Sequence, residues 1–219
     1  MSFKKDTTKV RSFGAGKITA TGFYPITIMK AYDHEGKDGP SKSVYIGYVT
    51  DCGKSGDFYL CYQNKKGEPQ ESGVNRITGE LMVLADLDDL KATAKMVPGY
   101  NFDLKQDAPT KKRVFEELEG KHIGAVFQMK EENAQEFIDG KWVTSGKTRI
   151  TPNFLCFTSD TGQSAKEFLD GAEAESIDKY VAGLDPIKYM QANNQTNAPQ
   201  VKPLQSTSAI DEFDDDVTF

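Results

Sequence analysis

Residues 42–64, KSVYIGYVTDCGKSGDFYLCYQN, decide the fold. They hold two runs rich in β-branched and aromatic residues, 42–50 and 57–64, either side of Asp51-Cys52-Gly53-Lys54-Ser55-Gly56. A short polar segment with two glycines is turn chemistry, so the stretch reads as a hairpin. Alternation puts Val44, Ile46, Phe58 and Leu60 in the apolar set and leaves Tyr45 and Tyr59 out of phase with it. Upstream, residues 17–32 (KITATGFYPITIMKAY) read as a third strand. Tyr24, Ile26 and Ile28 fall on one of its faces, Thr27 and Met29 on the other. Asp33 to Pro40 forms the turn into residue 42, and the three strands make a meander.

Downstream the period changes. Ile77, Leu81, Leu84, Leu87 and Leu90 recur at helical spacing, predicting a helix from about Asn75 to Met96 that stops before Val97-Pro98-Gly99. Lys111-Lys112-Arg113 reads as a connector, followed by a short helical or irregular stretch. Residues 121–130 and 141–157 read as strands around an Asp139-Gly140 turn, with breaks in the second at Ser145-Gly146 and Pro152. Residues 163–182 read as two short acidic helices. From Gln191 to Ala209 the chain is amides, Pro, Ser and Thr with one charge, Lys202, and lacks the apolar surface to offset its chain entropy. The order strand, strand, strand, helix, strand, strand is that of an OB-fold, a five-stranded Greek-key barrel, although other α+β folds share it. The expected fold is mainly β with added helices: an OB-fold domain over 1–185, a flexible linker over 186–210, and an acidic tail over 211–219.

The 219 residues carry 27 Lys+Arg and 33 Asp+Glu, a formal charge of −6. Residues 1–153 hold 23 basic and 21 acidic side chains, whereas 154–219 hold 4 and 12. The acidity is therefore concentrated at one end and does not exclude a nucleic-acid partner. No apolar run approaches the ~20 residues of a bilayer span, and Met1 to Lys5 lacks the apolar stretch of a secretory signal. The chain reads as soluble and cytoplasmic, with no membrane partner. Cys52, Cys61 and Cys156 form no CxxC pair, and the only histidines are His34 and His122. No metal or other cofactor is expected. Gly14-Ala15-Gly16-Lys17 lacks the span of a P-loop, and no nucleophile elbow or triad is recognisable, so the chain does not read as an enzyme. Asp86, Asp88 and Asp89 could suggest a small metal-dependent nuclease, but on the predicted helix they fall on its solvent side.

Asp214-Asp215-Asp216-Val217-Thr218-Phe219 resembles the tail of bacterial single-stranded DNA-binding proteins, which end Asp-Asp-Asp-Ile-Pro-Phe. It departs at Thr218, where the bacterial tail has Pro. Gly22 to Ala31, with the strand at 42–50, is similar to the start of phage proteins that behave as OB-fold single-strand binders, a likeness covering roughly 17–90. The resemblance implies a role in phage DNA replication, recombination and repair, with Asp211, Glu212, Asp214, Asp215, Asp216 and Phe219 recruiting replication or recombination proteins. A terminal Phe and acidic side chains give such a peptide two handles, one for an apolar pocket and one for Arg or Lys.

Single-strand binding without sequence preference requires rings for stacking and cations for phosphates. Tyr45, Tyr59 and Trp142 are the stacking candidates; Lys30, Lys42, Arg76, Lys141 and Arg149 are the phosphate candidates. A strand-annealing recombination protein is the alternative within the same chemistry. The chain is expected as a monomer or dimer.

Overall fold

The computed structural model describes residues 16–36, 39–97, 100–101, 106–138 and 141–189. Residues 42–64 form the predicted hairpin, β2 (Lys42–Thr50) and β3 (Ser55–Gln63), and β1 (Gly22–Glu35) pairs antiparallel with the far edge of β2. Ile26, Ile28, Val44, Ile46 and Leu60 are buried in one core, as their alternation predicts.

The β1–β2 register shifts at Met29: Ile28 faces Tyr48, but Lys30 faces Gly47. Met29 is the extra residue of a β-bulge and is 58% exposed. A bulge reverses which residues point inward. Before it, Ile26 and Ile28 face the core; after it, Ala31 does. Lys30, Tyr32 and His34 are thereby turned to the opposite, outer face.

The predicted helix is shorter than its leucine spacing suggests. Helix α1 is α-helical over Glu71–Asn75, widens to π pitch over Arg76–Leu81 and returns to α over Met82–Leu84. Asp86 takes φ 53°, while Leu87 N–H donates to the Met82 carbonyl at 2.9 Å and Asp86 N–H to that of Val83 at 3.2 Å. This is a Schellman stop with Asp in the position glycine usually takes. Leu87 and Leu90 still pack on the core, but from a loop, which is why they mimic a continuing helix. Asp86, Asp88 and Asp89 thus belong to that loop, not to a helical face.

Residues 93–97, which the periodicity joins to the helix, instead form β4 (Thr93–Val97). The short strands β5 (Tyr100–Asn101) and β6 (Gln106–Asp107) pair with each other. The Lys111-Lys112-Arg113 segment is no connector: it lies in β7 (Thr110–Val114), which pairs with β4 and with Tyr32 and Asp33 of β1. A single 3-10 turn, Glu116–Leu118, leads into β8 (His122–Ile138). Its partner β9 (Lys141–Thr158) pairs along almost its full length. The predicted acidic helices are α2 (Ala165–Asp170) and α3 (Ser176–Ala182). Glu167 joins them: it completes a capping box with Ser164 and accepts the backbone N–H of Ser176 at 2.9 Å. These bonds pull its carboxyl down to about 2. The last described strand, β10 (Ile187–Lys188), runs parallel to β8.

The fold is mainly β, an open sheet that is antiparallel except at β10. Two of its edge strands, β3 and β9, share no ladder among the described residues. They meet instead through rings, with Phe58 stacked on Phe154 at 4.2 Å and 4°. α1 lies between the two edges. At Gly73 an added Cβ would sit 1.8 Å from the Cys61 carbonyl of β3, so only glycine lets the helix lie this close. At its other end the Glu80 carboxylate accepts the Phe157 N–H of β9 at 2.8 Å. A strand carbonyl would take that N–H in a closed barrel; here a helix side chain does.

Candidate nucleic-acid interface

The meander's outer face is built by register. Tyr32 of β1 lies directly opposite Tyr45 of β2, and Tyr45 opposite Tyr59 of β3. Tyr32 and Tyr45 stack at 4.3 Å and 15°, and Tyr45 meets Tyr59 edge-on at 5.2 Å. His34, two residues past Tyr32, lies edge-on to Tyr59 at 5.0 Å.

The next row is Lys30, Gly47 and Asp57. A Cβ on Gly47 would come within 2.8 Å of Lys30 Cε, so glycine leaves the trough in which the lysine stem lies. Lys30 Nζ stands 5.5 Å from the Tyr45 ring centre, and Lys112 Nζ of β7 stands 5.1 Å from that of Tyr32. Both are cation–π distances. Burial, helped by Asp57 and the neighbouring tyrosines, pushes the Tyr32 phenol up to about 12 and the Tyr45 phenol up as well. The rings therefore stay neutral at physiological pH beside two ammonium groups.

The candidate residues separate into distinct groups. Tyr59 is 51% exposed, with ring area free to meet a base. Tyr45 points outward as predicted but is 7% exposed, between Tyr32, Tyr59 and Lys30. It backs Tyr59 and is not itself an open platform, a correction to its predicted stacking role. Lys42 sits 3.8 Å from Glu35. Arg149 is engaged more tightly, its Nε and Nη2 at 2.8 and 2.7 Å from one oxygen of Glu132, and its charge is already met by the facing strand. Arg76 stands on α1, 5.7 Å from the Phe154 ring. The backbones of Lys141 and Trp142 pair with Ile138 and Phe137 at the end of the β8–β9 hairpin, but their side chains lie outside the described residues. So do Asp211, Glu212, Asp214, Asp215, Asp216 and Phe219.

Sequence reasoning missed Tyr32, Gly47 and Lys112. Tyr32 reaches the outer face only because of the bulge at Met29, and no residue in Ile28-Met29-Lys30 announces one. Lys112 belongs to a strand whose flanking lysine and arginine hide its alternation. Among the described residues no group of three or more His, Cys, Asp or Glu side chains could hold a metal ion, and no helix is long and apolar enough to cross a membrane.

No protein-family model matches the chain, and no curated protein matches it. The reading of this face thus rests on its chemistry. It can offer a base a ring at Tyr59 and offer phosphates the ammonium groups of Lys30 and Lys112.

Proposed function

We propose that the protein binds single-stranded DNA on the outer face of β1–β3, without sequence preference, in phage DNA replication, recombination and repair. The observation that carries this is the half-exposed Tyr59 at the end of a tyrosine row whose other members hold lysines over their rings. A base stacks on any flat ring, whatever its identity, and lysines meet the backbone through charge, so such a face tolerates sequence and responds to salt.

The strand order supports an OB-fold reading of the sheet, in a version where α1 occupies the seam between β3 and β9. In OB-folds the face of strands two and three is the one that takes oligonucleotides, and here that face carries Tyr45 and Tyr59. The tail supports a partner-recruiting role. Its five acids, Asp211, Glu212 and Asp214 to Asp216, can compete with DNA for the lysines and become available to replication proteins once DNA displaces them.

Titration with oligo-dT across a salt series tests the reading. Fluorescence quenching and an affinity that falls linearly on a log–log salt plot are expected; no binding at low salt would refute it. Deleting 211–219 is expected to tighten binding at low salt and abolish capture of replication proteins. If both are unchanged, the tail is no switch.

A further inference from the structure

Beside Tyr59 the surface sinks into an open cleft of about 410 Å³ between β3 and α1, lined by Tyr59, Cys61, Gln70, Ser72, Gly73 and Arg76. Three features fit it to one nucleotide of a single strand. Its wall is the exposed ring at the end of the tyrosine row. Arg76, whose guanidinium stands 5.7 Å from the Phe154 ring, also lines it, and nearby Gln70 and Ser72, both exposed, bond to each other at 3.4 Å and supply neutral donors and acceptors. Its floor exists because residue 73 is glycine: any side chain there would run into the β3 backbone at Cys61.

We propose that this cleft is a nucleotide subsite, taking the residue next to the base stacked on Tyr59, with Arg76 on its phosphate. The inference rests on the single-strand reading of the outer face and adds a direction to it. The nucleic acid runs across the strands, from Lys112 on β7 past Tyr32 and Tyr59 to α1, rather than along β3. A strand following β3 would leave the cleft and pass the β2–β3 turn instead.

Two exposed thiols report on these paths. Cys61 lines the cleft, whereas Cys52 lies in the β2–β3 turn, past the Ser55 end of β3 and ~20 Å away at the usual strand rise. Cys52 bonds to the Thr50 hydroxyl at 3.2 Å, which lowers its thiol pKa and keeps it reactive. Burial pushes Cys156 up to about 12, so it stays silent.

The test is alkylation of the full chain, followed site by site by mass spectrometry, with and without saturating oligo-dT. The expected result is about tenfold slower labelling of Cys61 with Cys52 unchanged. Equal labelling of Cys61 while oligo-dT still quenches fluorescence would overturn the subsite and leave single-strand binding standing. Protection of Cys52 instead would overturn the direction. Absence of quenching would remove the underlying reading itself. A variant at the exposed rim tests the same subsite: Ser72→Glu sets a carboxylate against the phosphate. It is expected to weaken oligo-dT binding about tenfold and to abolish Cys61 protection. Unchanged affinity with full protection would contradict the proposal.

Discussion

The meander β1–β3 and the β8–β9 hairpin both carry aromatic and basic residues, yet only the meander's tyrosine row holds cations over its rings. On the hairpin, cations face carboxylates across the ladder: Arg149 meets Glu132, and Lys147 lies 4.0 Å from Glu136. On the meander Lys42 likewise faces Glu35 at 3.8 Å, but Lys30 and, from the neighbouring β7, Lys112 stand over its tyrosine rings, and neither of these two has an ion pair among the described residues. A cation over a ring keeps its charge available to a phosphate, whereas one already held by a carboxylate must first give up that partner. Counting basic residues would rank the two regions alike; their partners separate them.

Stability should respond most sharply at the row's centre. Tyr45→Ala removes a nearly buried ring and is expected to cost about 3 kcal/mol in chemical denaturation, while Arg149→Gln on the hairpin should cost under about 1 kcal/mol. Binding should respond most at the row's exposed end. Tyr59→Ala is expected to lose about 1–3 kcal/mol of oligo-dT affinity with little change in unfolding. If Tyr59→Ala binds like the wild type, the meander is not the platform. Removing both Lys30 and Lys112 should lower the salt slope by about 2, whereas Arg149→Gln should leave it unchanged. The reverse outcome would move the phosphate path to the hairpin.

The smallest effect concerns the joint between the two regions. His122 at the start of β8 reaches Asp51 of the β2–β3 turn at 3.0 Å and Asp160 at 3.5 Å. The two carboxylates, Asp51 foremost, hold its pKa above the ordinary 6.5. Its stabilising effect is therefore complete below about pH 6.5 and fades as pH rises through the raised value. NMR titration should find His122 protonated at a pH where a free imidazole is half neutral. A value at or below 6.5 would mean that the bridge does not form in solution.

The hairpin at 42–64 was legible because turn glycines and strict alternation agree with each other there. The β2 bounds and the inward set Val44, Ile46 and Leu60 follow from that agreement. The helix was legible in kind but not in extent. Leu84, Leu87 and Leu90 keep the spacing that an α-helix needs, and only the left-handed Asp86 ends it. Lys111 to Arg113 reads as a connector because a strand with basic residues at consecutive positions shows no apolar period. On the outer face, the outward position of Tyr59 follows from phase alone. Phase puts Tyr45 on the outer face, but its burial depends on Tyr32, which a bulge places beside it. Register shifts of one residue carry no composition signal, and the centre of the face depends on one.

The most direct measurement is a paired titration of the wild-type chain and Tyr59→Ala with oligo-dT over a salt series. Stacking at Tyr59 beside Lys30 and Lys112 predicts tight, salt-sensitive binding by the wild type and a 10- to 100-fold loss in the variant at every salt concentration. Identical curves for the two proteins, or no binding by either at low salt, would contradict it.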